Sequence, residues 1–166
     1  MVFRLFRTTL ALFVLLAGAA WALEPPRATP LLTVTGAIDA TNSDGAAQFD
    51  RDMLQALDWR DITTYTSFTT GPQRFAGPTL SSLLKALGVH TGVLRASAVN
   101  DYTIEIPVSH ALEHDVLLAM DHNGTPMRVR DKGPIWVVYP LTEREAAAKP
   151  FDGEMIWQLV RIEVLP

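Results

Sequence analysis

The chain has 166 residues, a formal net charge of −4, 48% hydrophobic residues, 19% charged residues and no cysteine. The absence of cysteine excludes disulfide scaffolds, thiolate-bound zinc, iron–sulfur clusters and cysteine nucleophiles. The acidic balance, without a run of Lys or Arg, argues against a protein that binds nucleic acid by neutralising phosphates.

The first 22 residues have the pattern of a secretory signal peptide. Arg4 and Arg7 form a basic start, residues 10–20 form a short apolar stretch, and Ala20-Trp21-Ala22 supplies a small-x-small cleavage site. The alternative, a membrane anchor, is disfavoured because the apolar stretch is shorter than the roughly 20 residues that span a bilayer. We therefore expect residues 23–166 to form one exported domain in a bacterial periplasm, with no membrane insertion after cleavage.

The first half of this domain is predicted to alternate strands and helices. Residues 31–38 are typical of a strand, and residues 46–57 carry the apolar stripe of an amphipathic helix, capped by Ser43 or Asp44. Residues 61–70 are rich in threonine and predict a second strand. Leucines over residues 80–87, preceded by Pro78 and followed by Gly88, then predict a second helix.

The second half is predicted to hold mainly strands. The predicted hairpins pair residues 93–99 with 102–106 and residues 116–121 with 127–130. Asn100-Asp101 and Asn123-Gly124 favour tight turns between them.

Three further segments complete the chain. The apolar run at residues 135–139 predicts a buried strand, and the charged residues 142–149 predict a surface loop or one helical turn. Residues 155–164 predict a final strand, with alternating positions from Ile156 on one face and from Trp157 on the other. Short strands with two helices, without regular β–α alternation, indicate an α+β fold.

Common catalytic and metal-binding motifs are missing from the sequence. The hydrolase, nucleotide-binding and zincin motifs do not occur. His110 and His114 are four residues apart and could share a metal ion, but no third ligand is evident, so a surface helix is favoured. His90 and His122 lie beside turn residues and are predicted to be solvated.

A cluster of hydroxyl side chains surrounds Tyr65 and Phe68. Its members are Thr63, Thr64, Thr66, Ser67, Thr69 and Thr70. One interpretation is the β-propensity of threonine; the other is an edge that offers hydroxyl donors and an aromatic face to a planar ligand. Trp136, Tyr139 and Tyr102 offer aromatic surface of the same kind, although each is also typical of a core.

Arg128, Arg130 and Lys132 alternate along the sequence, which places cationic ends on one side of a predicted strand. They either guard a sheet edge or contact an anion or carbonyl at the mouth of a pocket. The spacing does not choose between these interpretations.

Taken together, these segments resemble the oxidoreductase molybdopterin-binding domain, which has the sulfite oxidase-like fold. The matching pieces are TVTGAI at 33–38, F-x-G-P-x-L at 75–80, A-x-N-D-Y at 98–102, VLLAMDHNGTPM at 116–127, RDKGPIWVVYP at 130–140 and the closing WQLVRIEV. The resemblance implies an α+β fold of layered mixed β-sheets with a β-grasp-like portion and a few short helices.

In enzymes of that family, a cysteine after the strand matching residues 62–68 ligates molybdenum. This chain has Thr64, Tyr65, Thr66 and Ser67 there, and neutral hydroxyls are poor substitutes for a thiolate. We therefore expect no molybdenum cofactor. The chain looks more like a small periplasmic subgroup that binds free pterins and signals to an inner-membrane cyclic-di-GMP enzyme. That subgroup commonly has Trp where Phe68 stands.

The leading hypothesis is a non-catalytic periplasmic pterin-binding protein that relays ligand state to an inner-membrane signalling protein. The alternatives are a molybdopterin-dependent oxidoreductase or its redox subunit, and an interaction module with a vestigial pocket. The predicted ligand-binding residues are Thr64, Thr66, Phe68, Asn100, Asp101, Tyr102, Arg128, Lys132, Trp136 and Tyr139.

Overall fold

Three β-sheets and four short helices make up residues 23–166, the part of the chain that the computed structural model describes. The predicted signal peptide, residues 1–22, lies outside the described residues. In chain order the elements are β1 (Leu32–Gly36), β2 (Ala47–Phe49), α1 (Arg51–Gln55), β3 (Trp59–Thr64), β4 (Gln73–Pro78), α2 (Leu80–Ala86), β5 (Val93–Ala98), β6 (Thr103–Pro107), α3 (Val108–Glu113), β7 (Leu117–Ala119), β8 (Asp121–His122), β9 (Thr125–Pro126), a 3-10 turn (Val129–Asp131), β10 (Trp136–Val138), α4 (Glu143–Ala148) and β11 (Leu159–Leu165). The predicted α+β class is confirmed.

The largest sheet has the strand order β2-β1-β11-β5-β6. Its centre joins the two ends of the domain, because β1 and β11 pair in parallel with Val34 opposite Ile162. The remaining pairs in this sheet are antiparallel. A second sheet has the order β3-β4-β8-β9, and β7 pairs with β10 in a third.

The F-x-G-P-x-L motif joins the second and third sheets. Phe75 is fully buried, and at Gly77 a Cβ atom would collide with the backbone carbonyl of Leu118, so β4 approaches β7 closely. Thr79 then caps α2, since its side chain accepts a hydrogen bond from the backbone N–H of Ser82 at 3.3 Å. Leu80 begins the helix and is buried.

The predicted helix over residues 46–57 is wrong in its first half. Residues 47–49 form β2, which adds an edge strand to β1 and buries Ala47 and Phe49. The helix begins only at Arg51, because Asp50 is the N-cap and accepts from the backbone N–H of Met53 at 3.0 Å. Two backbone N–H groups, of Arg27 and Ala28, donate to the other carboxylate oxygen of Asp50. The bond from Met53 in the first place, and then these two, lower the pKa of Asp50.

Two predicted strands in the middle of the chain differ from the structure. The strand at residues 61–70 ends at Thr64, where the chain turns away from β4. Residues 127–130 are not a strand: the Asn123-Gly124 turn, with both residues at positive φ, closes a two-residue hairpin, and a 3-10 turn follows. The alternating placement of Arg128, Arg130 and Lys132 along one strand is therefore wrong.

The closing strand begins at Leu159 rather than at residue 155. Gln158 has a φ of 56°, and the pairing register shifts between Leu159 and Arg161, so the predicted alternation of faces breaks there. Residues 155–156 instead pair with β10, since the Val137 N–H donates to the Ile156 carbonyl at 2.9 Å.

The predicted strand over residues 116–121 is divided into β7 and β8, and β7 pairs with β10 rather than with residues 127–130. Several other predicted elements are confirmed. α2 and the β5–β6 hairpin occur where the sequence places them, and residues 143–148 form a helix with a capping box between Thr142 and Glu145. The segment with His110 and His114 is helical over 108–113. None of the helices in the described residues has the length and apolar character needed to cross a membrane.

Candidate functional site

A pocket of about 320 Å³ opens between the β5–β6 turn and the segment that precedes β11. Its volume is at the lower end of the range for small-molecule sites. The lining residues are Phe68, Ala98, Asn100, Tyr102, Ile104, Asp152, Gly153, Met155, Ile156, Trp157 and Gln158. Aromatic rings, aliphatic groups and a few amide and carboxylate groups therefore face the same space.

One wall comes from the β5–β6 hairpin. Ala98 and Ile104 lie on its strands, and Asn100 and Tyr102 lie in its turn. The turn is organised by the side chain of Asn100, whose Oδ1 accepts from the backbone N–H of Tyr102 at 3.2 Å. The Tyr102 ring is 60% exposed, so it stands at the mouth of the pocket.

The opposite wall is residues 151–158, which we call the wall segment. Its backbone is fixed to β10: the Trp136 indole N–H donates to the Met155 carbonyl at 3.2 Å, and the Val137 N–H donates to Ile156. The N–H of Gln158 donates to the carbonyl of Lys132 at 3.0 Å. These bonds fix the backbone of the segment, and residues 152, 153 and 155–158 line the pocket.

Glu154 and Phe151 anchor the start of the wall segment. The hydroxyl of Tyr139 donates to Glu154 Oε2, and His110 Nδ1 lies 3.0 Å from each oxygen of the same carboxylate. Phe151 stacks on the Tyr139 ring with centroids 4.2 Å apart. Burial, together with the neighbouring Glu154 carboxylate, raises the pKa of Tyr139 well above its ordinary value.

Aromatic side chains form the floor and one side of the pocket. The Phe68 and Trp157 rings meet edge to face with centroids 5.3 Å apart, and Phe68 lies 6.4 Å from Trp136. Lys132 is packed behind them: its Nζ lies 4.3 Å from the Trp136 ring centroid and 5.3 Å from that of Trp157. Burial lowers the pKa of Lys132.

Three of the ten predicted ligand-binding residues line the pocket: Phe68, Asn100 and Tyr102. Among the other seven, Trp136 and Tyr139 are buried beneath the wall segment, and Lys132 lies behind Trp157. Asp101 is an exposed turn residue that pairs with Arg161 at 2.5 Å, and Arg128 is exposed and pairs with Asp131 at 2.8 Å.

Thr64 and Thr66, the remaining two, use their hydroxyls inside the protein. Thr64 Oγ1 lies 3.0 Å from the Tyr139 carbonyl and 3.1 Å from the Leu141 carbonyl, the two acceptors within reach of its single O–H, and it accepts from the Leu141 N–H at 2.7 Å. Thr66 Oγ1 lies 2.9 Å from Thr69 Oγ1 and accepts from the Phe68 N–H. Both residues are buried.

The sequence prediction missed the pocket residues of the wall segment, above all Asp152, Trp157 and Gln158. The sequence offered one signal for this wall, namely Gly153 close to large aromatic residues. The signal was overlooked because these residues were predicted to begin the last strand. The prediction of a solvated His122 is also wrong. Its ring is half-buried and stacks on Phe75 at 4.8 Å, and burial, assisted by the charge of Lys132, lowers its pKa.

The donors at this site fit only part of a molybdopterin cofactor. The flat pterin ring matches a space lined by aromatic and amide groups. The metal end does not fit, because the chain has no cysteine, and within residues 23–166 no three His, Asp or Glu side chains gather as a metal site. The phosphate end does not fit either: Asp152 is the one charged side chain among the described lining residues.

Two comparisons with known proteins bear on the family and the fold. The family model of the oxidoreductase molybdopterin binding domain matches residues 40–150, more than half of the chain. Among solved structures, the fold is similar to the sulfane dehydrogenase SoxCD from Paracoccus pantotrophus, with a TM-score of 0.59 and 19% sequence identity. That similarity covers 80% of this chain but 37% of the other. No curated protein matches the chain. The chain belongs to the oxidoreductase molybdopterin-binding domain family.

Proposed function

We propose that this protein is a non-catalytic, periplasmic binding protein for a pterin. The observation that carries the proposal is the pocket itself: Phe68, Tyr102 and Trp157 offer flat aromatic surface around a space of about 320 Å³. Asn100 and Gln158 add amide donors and acceptors on its walls. A bicyclic pterin has the matching features, a π-surface and an edge of polar atoms.

The lack of metal ligands supports binding rather than redox catalysis. In this family the metal performs the electron transfer, and the chain contains no thiolate to hold it. The hydroxyls of Thr64 and Thr66 stand in the corresponding segment, and they are engaged with the protein's own groups. These two hydroxyls therefore stabilise the fold, and neither is free to bind a metal.

The proposal is tested by calorimetric titration of the purified protein with oxidised and reduced pterins. We expect saturable binding, and a fall in affinity in a folded Phe68→Ala variant, because an aromatic contact is worth about 0.5–1.5 kcal/mol beyond its area burial. The matched control is Trp59→Ala, which changes a partly exposed aromatic residue on β3 that does not line the pocket. Absence of binding at millimolar pterin would contradict the proposal.

The alternative, a molybdopterin-dependent oxidoreductase or its redox subunit, is favoured by the family to which the chain belongs. Metal analysis of protein isolated from its native source separates the two. Stoichiometric molybdenum together with reduction of an artificial electron acceptor would establish the enzyme. Pterin without molybdenum is the result that we expect.

We also propose that the bound state is relayed to an inner-membrane signalling protein of cyclic-di-GMP metabolism. Support comes from the surface around the pocket mouth, which holds four of the five large apolar side chains that are exposed in the described residues: Val99, Tyr102, Val129 and Trp157. Gln158 connects the segments that carry Val99 and Val129. Its carbonyl accepts a hydrogen bond from the Val99 N–H, and its side-chain amide donates to the Val129 carbonyl at 2.7 Å. Contiguous exposed apolar surface marks interaction sites.

The relay is tested in cells. Deletion of the gene is expected to change the cyclic-di-GMP level, and the wild-type gene is expected to restore it. Leu112→Ala, which alters an exposed apolar residue on α3 away from the pocket mouth, should restore the level equally well. An unchanged cyclic-di-GMP level in the deletion strain would contradict the relay while leaving pterin binding intact.

A further inference from the structure

The carboxylate of Asp152 is only half satisfied. Its Oδ2 accepts a hydrogen bond from the Ser67 hydroxyl at 2.7 Å. Its Oδ1 is buried and has no hydrogen-bond partner among the described residues. A buried acceptor without a donor is unfavourable, and more so when it carries charge. Since Asp152 is a pocket residue, the donor can come from whatever fills the pocket.

The surroundings of Asp152 do not supply that donor. No Lys, Arg or His occurs among the described residues that line the pocket, so no cation there can pair with the carboxylate. The last torsion of an aspartate side chain is soft, and Ser67 is exposed, so its hydroxyl can follow a small rotation. Such a rotation would present the unsatisfied oxygen to a ligand, and Ser67 could follow it to keep its bond.

An ionised carboxylate only accepts hydrogen bonds, which restricts the ligand chemistry. Neighbouring N–H donors, such as the 2-amino group and the N3–H of a 2-amino-4-oxopyrimidine ring, match it. A ring carbonyl in place of the amino group would point lone pairs at the negative charge, and a phosphate would be repelled by it. The pocket therefore discriminates between heterocycles by one edge of the ring.

We propose that Asp152 is the specificity-determining residue of the pocket and that it selects ligands with a 2-amino-4-oxopyrimidine edge over their 2-oxo analogues. The inference rests on the proposed function, because it concerns how the same pocket recognises a pterin.

The first experiment uses the unmodified protein. Lumazine carries an oxygen in place of the 2-amino group of pterin. The difference between their affinities, measured by calorimetric titration with each, therefore reports the contribution of that edge of the ring. We expect pterin to bind about 10- to 100-fold more tightly than lumazine, because the 2-amino group of pterin can donate a hydrogen bond to the charged carboxylate and the 2-oxo group of lumazine cannot. Equal affinities for the two heterocycles would overturn the inference and leave pterin binding standing.

The second experiment assigns the preference to Asp152. In Asp152→Asn the side chain keeps its shape and an acceptor for Ser67, but it gains N–H donors and loses its charge, so the preference for pterin should disappear. Asp44→Asn, in an exposed turn between β1 and β2, is the matched control and should retain the preference. Thermal melting of both variants checks that they fold.

The possible outcomes separate the inference from the proposed function. A preference for pterin that persists in folded Asp152→Asn would overturn the role of Asp152 alone. Lack of binding of either heterocycle to the wild-type protein would overturn both. Preference in the wild type and in Asp44→Asn, with none in Asp152→Asn, would establish the inference.

Discussion

The hydroxyl-rich segment at residues 63–70 and the wall segment at residues 151–158 show opposite uses of polar side chains. In the first, Thr64 and Thr66 are buried and their hydroxyls bond to neighbouring backbone and side-chain groups. In the second, the backbone makes the structural bonds to β10, and the side chains of Asp152, Trp157 and Gln158 face the pocket. The hydroxyls of Thr64 and Thr66 thus serve the fold, whereas Asp152 and Gln158 reach the pocket although each also makes one bond to the protein, to Ser67 and to the Val129 carbonyl.

The strongest test of this contrast is Thr64→Val. The variant removes one donor and one acceptor, leaving the Leu141 N–H and the Tyr139 carbonyl without their buried partner, whereas the Leu141 carbonyl keeps the bond from the Tyr65 N–H. We expect the free energy of unfolding to fall by about 2–3 kcal/mol, measured by urea denaturation. Thr63→Val, at the exposed neighbouring position, should change it by less than about 0.5 kcal/mol. Comparable losses in both variants would contradict a structural role specific to Thr64.

The wall segment is tested by Trp157→Ala. Trp157 is 38% exposed and lines the pocket, so its removal should reduce pterin affinity more than stability. Stacking of a heterocycle on an aromatic ring contributes about 1–3 kcal/mol, and we expect a loss of at least about fivefold in affinity by calorimetry. Trp157→Phe should recover part of it. An affinity equal to that of the wild type would remove Trp157 from the ligand-binding wall.

Tyr139→Phe tests the anchor that links the core to the wall segment. It removes the hydroxyl that donates to Glu154, which keeps its contact with His110. We expect the free energy of unfolding to fall by about 1 kcal/mol near neutral pH, measured by urea denaturation.

The same variant has a predicted pH dependence. Because the folded protein raises the pKa of Tyr139 above its ordinary value of 10, the hydroxyl contributes stability below about pH 10, and this contribution is lost as the pH rises further. Wild-type stability should therefore fall more steeply than that of Tyr139→Phe between pH 9 and pH 11, about one unit either side of that value. Parallel pH profiles would contradict a raised pKa.

Local sequence patterns predicted much of the fold. The leucine spacing of α2, the turn residues of the β5–β6 hairpin and the apolar run of β10 are signals between near neighbours, and all three elements occur as predicted. Boundaries failed where a distant partner decides the structure. β2 is a strand because β1 lies beside it, although residues 46–57 have helical periodicity.

The sequence predicted pocket residues outside the wall segment and none within it. Phe68, Asn100 and Tyr102 were identified from composition, turn chemistry and family resemblance, and all three line the pocket. The opposite wall was predicted to continue the last strand, and the family match also ends at residue 150, before that wall. Residues 155–158 form backbone hydrogen bonds with β10 and the residues before it. No pattern within residues 155–158 predicts this pairing.

The sequence by itself determined the family, the α+β class and the lack of any thiolate for a metal, because composition and motif order do not depend on how the chain packs. The tertiary structure decided which side chains face a ligand. The sequence predicted Thr64 as a ligand contact and did not predict Trp157. In the structure the Thr64 hydroxyl is bonded to the Leu141 backbone, and the Trp157 ring lines the pocket. Hydrogen-bond partners and burial are properties of the assembled chain, and they separate a structural residue from a binding one.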